Sequence, residues 1–124
     1  MSHYAIVVPP LYSHIRAMEA LAMALSARGH RLTFVLPPDA LTPDDARVQL
    51  CPGLPEAILQ AQRRMQNPAN RALWRIANTM AALTDALCHE LPALLRTLRV
   101  DGVIVDQMEP AGSLVSESLG LPFV

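Results

Sequence analysis

Two residues of this chain have the side-chain types for acid–base chemistry and positions that a fold could bring together. His14 ends the run Pro9-Pro10-Leu11-Tyr12-Ser13-His14, and Asp106 follows the apolar run Gly102 to Val105. An imidazole whose Nδ1–H is held by a carboxylate has a fixed tautomer, keeps Nε2 free as an acceptor, and gains basicity when it takes a proton. A nearby helix N-terminus disfavours the imidazolium, so a ring with an ordinary pKa of about 6.5 is expected to start neutral. Such a ring is a general base, and a substrate hydroxyl is the proton source that fits it. Ser13 lacks the glycine pattern of a nucleophile elbow, and Cys51 lies in a loop far along the chain. The same two residues also have a plainer reading, as a satisfied polar residue at a helix start and a cap for the helix after the strand. His3, near the chain start, His30, in a turn, and His89, beside Glu90, carry no comparable argument.

Whether His14 and Asp106 meet depends on the elements around them. Tyr4 to Val8 is a short Val- and Ile-rich run with the look of a strand buried on both faces. The spacing of Ile15, Met18, Leu21, Ala22 and Leu25 predicts a helix with one apolar face, capped by Ser13 and ended at Gly29. A second strand is expected from Leu32 to Leu36, stopped by Pro37 and Pro38. Asp39 to Pro55 reads as loop around a brief third strand, Val48 to Leu50. Helical patterning starts at Glu56, breaks at Asn67-Pro68 and resumes from Asn70 to Leu98. There Leu73, Ile76, Met80, Leu83, Leu87, Leu91, Leu94 and Leu98 form a stripe, and Pro92 is expected to kink or split the helix. Gly102 to Val105 is the fourth strand, Pro110 to Leu119 a helix closed by Gly120, and Pro122-Phe123-Val124 the opening of a fifth strand.

Alternating strands and helices predict an α/β fold with a Rossmann-like, doubly wound parallel sheet, strand order 3-2-1-4-5. In that order strands one and four are neighbours and the winding direction reverses between them. Ligands bind at such a switch point, beyond the carboxyl ends of the strands. Both His14 and Asp106 fall there. The first turn contains no glycine, which argues against a dinucleotide, whose pyrophosphate needs close backbone approach.

Composition narrows the remaining classes. At 124 residues the chain has the size of one domain, and its 52% hydrophobic content with mean hydropathy +0.25 suggests a face meant to be covered. No membrane span or signal peptide is read from it, so a cytoplasmic location is expected. The net charge is -1, every basic residue is Arg, and with the arginines scattered and no basic cluster, nucleic acid is not an expected partner. Cys51 and Cys88 have no ligand-spaced partner and read as reduced, half-buried thiols; no metal site is expected.

The stretches "MSHYAIVVPPLYSHIRAMEALAMALSARGHRLTF" and "VDGVIVDQMEPAGSLVSESLGLPFV" resemble the N-terminal domain of bacterial GT-B glycosyltransferases, two-domain enzymes that use nucleotide sugars. Within that family the Pro-Pro-x-Tyr-Ser-His turn and the Asp-Gln-Met-Glu-Pro-Ala-Gly segment point to carotenoid-glucosylating members. The resemblance implies that His14 deprotonates the acceptor hydroxyl and that Asp106 is its carboxylate partner. It implies an inverting displacement on UDP-glucose, with no metal and no cofactor beyond that donor. The donor-binding second domain, with its His-Gly-Gly signature, is absent, so residues 1–124 are expected to be the acceptor half alone, unable to transfer sugar. For an apolar acceptor the expected wall is Leu11, Tyr12, Met65, Trp74 and Met108, and peripheral contact with a membrane follows from such an acceptor. A macrolide or polyketide acceptor and a non-catalytic, apolar-ligand-binding or interaction module are the alternatives. The open sheet edge at Phe123 and Val124 predicts self-association.

Overall fold

Side chains along the first strand alternate between two cores. The structure, a computed structural model, describes residues 1–124. In β1 (His3–Val7), Ala5 and Val7 point into one apolar cluster while Ile6 and, just beyond, Val8 point into another. A strand with fully buried residues on both faces must be covered by helices on both sides. α1 (Tyr12–Ala27) covers one face through Ile15 and Ala22. α2 (Glu56–Gln66), α3 (Leu73–Leu98) and α4 (Ala111–Leu119) lie over the other, with a 3-10 turn at Pro68–Asn70 between α2 and α3.

The sheet contains β2 (Arg31–Phe34), β3 (Val48–Leu50) and β4 (Gly102–Val105) beside β1, in the order β3-β2-β1-β4. All three pairings are parallel, with Ile6 opposite Phe34 on one side and Ile104 on the other. Phe123 forms a parallel bridge to Val103, so a fifth strand starts outside β4. The expected α/β fold and its strand order are borne out.

Several expected details differ. Helix α1 begins at Tyr12, one residue before the expected cap, because Leu11 is already extended and its carbonyl accepts from Ile15 N–H. Ser13 therefore sits inside the first turn, where it cannot cap, and Leu11 provides no side-chain hydrogen bond. Leu21 is exposed, whereas Ser26 is fully buried and donates to Asp45 at 2.6 Å. Helix α3 runs unbroken through Pro92, held by buried leucines on both sides of it. Its buried stripe is narrower than expected: Leu83, Leu87, Leu91 and Leu95, four residues apart, face the core, while Leu73 is 85% exposed. Burying each of those leucines contributes about 1.5–3 kcal/mol, enough to hold a helix that its proline weakens. Cys51 is buried rather than half-buried, with its N–H on Phe34 C=O. His3 lies in β1 and contacts Thr33 Oγ1 through Nε2 at 2.8 Å, with burial the main cause of its lowered pKa.

Candidate active site

Backbone pairing places the aspartate. Asp106 follows β4 directly, and its N–H donates to Val7 C=O at 2.9 Å, extending the β1–β4 ladder by one bond. The carboxylate therefore stands at the carboxyl end of β4, next to the end of β1. The histidine is placed by the turn out of β1. Pro9 and Pro10 are buried and have fixed φ, and Leu11 N–H closes a tight turn onto Pro9 C=O at 2.7 Å. The chain then enters α1, putting His14 in its first turn.

The two side chains meet. His14 Nδ1 lies 2.7 Å from Asp106 Oδ2, and the other oxygen, Oδ1, accepts Met108 N–H at 2.8 Å. A carboxylate oxygen can only accept, so the proton of this contact belongs to Nδ1, which leaves Nε2 the unprotonated nitrogen of a neutral ring. Asp106 is 9% exposed at its side chain and His14 25%. The carboxylate is thus shielded while part of the ring stays open to a ligand, the arrangement a base needs to be oriented from behind and approached from the front.

A second carboxyl group supports this corner, and sequence reasoning passed over it. Glu109 is 1% exposed; its Oε1 accepts the Thr84 hydroxyl of α3 at 2.9 Å and Ala111 N–H, the first of α4, at 3.2 Å. Its own N–H donates to Asp106 C=O at 2.9 Å, closing the turn that carries Asp106 and Met108. Burial pushes the Glu109 carboxyl up, the Thr84 and Ala111 hydrogen bonds oppose this, and the Asp106 charge adds to it. The available sequence signal was a carboxylate just ahead of a helix start, the position that complements the helix dipole.

On the β2 side of α1's first turn lies a groove of about 490 Å³, lined among others by Leu11, Tyr12, Ile15, Met65, Arg71 and Ile76. Its size falls in the range of ligand clefts. Leu11, Tyr12 and Met65 are thereby brought together as expected lining residues. Trp74 and Met108 are not: Trp74 is 63% exposed beneath the Arg75 guanidinium, and Met108 lies beyond Asp106 on the β4 side. Ile76 and Thr79 in the groove were not foreseen: they lie three residues apart on α3, and Ile76 was expected in the apolar stripe of that helix. Among side chains of the metal-binding types, no group of three or more is arranged to hold an ion.

Comparison with known proteins decides the relationship. The chain is 52% identical over 126 residues to a zeaxanthin glucosyltransferase of Pseudescherichia vulneris and 45% identical over 130 residues to that of Pantoea ananas, with the whole chain covered in both cases. This chain is a homologue of zeaxanthin glucosyltransferases. It spans 30% of the length of each of these relatives. No protein-family profile matches the sequence. Among solved structures, the glycosyltransferase SnogD of Streptomyces nogalater matches with a TM-score of 0.66 at 23% identity, covering 98% of this chain and 33% of that one. The fold is that of one part of a GT-B glycosyltransferase.

Proposed function

We propose that residues 1–124 form the acceptor-binding half of an inverting, UDP-glucose-dependent glucosyltransferase acting on a hydroxylated carotenoid such as zeaxanthin. The observation that carries this reading is the 2.7 Å contact between His14 Nδ1 and Asp106 Oδ2 at the sheet's switch point. In the reaction, His14 Nε2 takes the proton of the acceptor hydroxyl as the oxygen attacks the anomeric carbon of glucose. The new C–O bond forms as the bond to UDP breaks, and UDP leaves with the electron pair. Asp106 stabilises the imidazolium formed in that step. The groove beside Tyr12 holds the apolar body of the acceptor, and UDP-glucose is held mainly by a partner domain outside these residues.

The relatives named for zeaxanthin glucosylation support this choice of acceptor over a polyketide one. A chimera tests it: this chain replaces the matching segment of the Pantoea ananas enzyme, and glucoside formation from zeaxanthin is measured. The expected result is transfer by the chimera and a loss of about 10²–10⁴-fold on His14→Ala with the fold intact. Transfer that survives His14→Ala unchanged would refute the role given to the base and favour a non-catalytic binding module.

A further inference from the structure

Charge is unevenly distributed along this chain in a way that its net value of -1 conceals. Residues 57–84 contain Arg63, Arg64, Arg71 and Arg75 and not one Asp or Glu. The arginines scattered in sequence terms are gathered in space, at the corner formed by the end of α2, the 3-10 turn and the start of α3. All four are exposed. Only Arg63 has an acidic partner, Glu56 at 3.5 Å, and both side chains of that pair are more than 60% exposed, so water screens it heavily.

The same corner carries two large, exposed apolar side chains, Leu73 and Trp74, with only the Arg75 guanidinium 4.9 Å from the Trp74 ring centroid. Leu73 is 85% exposed and Trp74 63% exposed, at the first two positions of α3. The corner is also held in shape: Asn67 Oδ1 accepts Ala69 N–H at 3.0 Å, Asn70 Nδ2 donates to Arg64 C=O at 2.8 Å, and Arg75 Nη1 donates to Ala69 C=O at 3.0 Å. An ordered tip that carries exposed Leu73 and Trp74 beside three arginines without an acidic partner matches the chemistry of an anionic bilayer surface. There the indole settles at the headgroup level and guanidinium groups meet lipid phosphates.

We infer that this α2–α3 corner docks on an anionic membrane surface, with Leu73 and Trp74 entering the interface and Arg64, Arg71 and Arg75 contacting lipid phosphates. Arg71 and Met65 of the corner also line the groove beside Tyr12, so docking opens that groove at the lipid surface. The surface is independent of the transfer reaction. It can be tested with neither donor nor acceptor present, and its failure would leave the reading of His14 untouched.

The chain's single tryptophan makes the test direct, since Trp74 is the only indole emitter. The protein is mixed with vesicles of phosphatidylcholine alone, and with vesicles in which about one-third is phosphatidylglycerol; binding is read by co-flotation and by Trp emission. The expected result is binding and a blue shift with the anionic vesicles only, weakened by added salt. Arg71→Gln with Arg75→Gln should weaken binding about 25-fold, from about fivefold for each arginine at a charged bilayer. Leu73→Ser with Trp74→Ser should abolish co-flotation, while Arg28→Gln with Arg96→Gln, two exposed arginines away from this corner, should leave it unchanged. All of these positions are exposed, and circular dichroism checks that each variant is folded. No flotation with anionic vesicles would overturn the inference, as would flotation with no change in Trp74 emission. Equal losses in the corner and control variants would do the same, by showing a contact set by net charge alone.

Discussion

Asp106→Asn isolates what the carboxylate does for the imidazole. Asn is nearly isosteric, and its side-chain oxygen can still accept Met108 N–H, so the turn from Asp106 to Glu109 keeps its 2.8 Å and 2.9 Å bonds. What changes is the group facing His14 Nδ1 across 2.7 Å, where an acceptor-only oxygen becomes an NH₂ donor. Two donors cannot share that contact, so the ring must move its proton to Nε2, which then has no lone pair for a substrate hydroxyl. The loss of one charge-assisted bond costs about 1.5 kcal/mol, the lower end for such bonds because the ring is 25% exposed. The chemical consequence is larger. With the wrong tautomer dominant, the glucosyl transfer of the chimera falls by about 10²–10⁴-fold, the usual worth of a positioned base. The tautomer can be read in the chain itself by two-dimensional ¹H–¹⁵N NMR of the histidine ring, in solution alkaline enough for the ring to be neutral. The expected spectrum has Nδ1 protonated in the parent and Nε2 protonated in Asp106→Asn. If the parent ring carries its proton on Nε2, or the substitution leaves the tautomer where it was, the carboxylate does not orient the imidazole and the argument for a base fails.

Glu109 has a raised folded-state pKa, so the folded protein binds its proton more tightly than the unfolded chain, and stability present below pH about 4.5 is lost as pH rises through the folded value. Glu109→Gln should therefore flatten the fall in urea-unfolding stability over that window, and a parent curve with no such fall would contradict the assignment. A Cβ at Gly112 would lie 2.7 Å from Val105 Cγ1 and 3.2 Å from Val7 Cβ, so Gly112→Ala should destabilise by about 1–3 kcal/mol, with partial recovery in the double variant Gly112→Ala/Val105→Ala. Burial pushes the Cys51 thiol up to about 11, so a thiol reagent at neutral pH should label Cys88 first and reach Cys51 at the rate of unfolding. Labelling of both at equal rates in the folded protein would show that Cys51 is not shielded.

The parts of this molecule that were legible in its sequence are those fixed by rules acting over short distances or over the whole sheet. The apolar run Tyr4 to Val8 reads as a strand buried on both faces and Gly102 to Val105 as a further strand, and parallel order with right-handed crossovers then leaves few arrangements. Proximity of His14 and Asp106 follows from that order, because adjacent strands deliver the residues beyond their carboxyl ends to the same place. Ser13 misled because capping preference is weak beside the geometry of a turn in which Pro9 and Pro10 have already set the chain direction. Pro92 misled for the opposite reason. A lone helix would break there, but Leu87, Leu91 and Leu95 bury themselves on both sides of it, and packing outweighs one missing hydrogen bond.

The groove and the basic corner were illegible because neither belongs to one element. Arg63 and Arg64 end one helix, Arg71 lies in a connection, and Arg75 starts another helix, so each taken alone is an ordinary surface arginine. Only the reversal at Pro68–Asn70 folds them onto one another. That reversal also lets Met65 of α2 and Ile76 of α3 line the same space beside Tyr12. The region with the weakest sequence pattern therefore does two things at once: it shapes the cavity next to the histidine and presents the arginines outward. Altering the turn should disturb both together. Asn67→Ala removes the acceptor for Ala69 N–H and so loosens the reversal without touching an arginine or the dyad. The expected outcome is weaker flotation on anionic vesicles with an unchanged His14 tautomer, and a shifted tautomer with intact flotation would mean that the corner and the dyad are coupled differently from the geometry described.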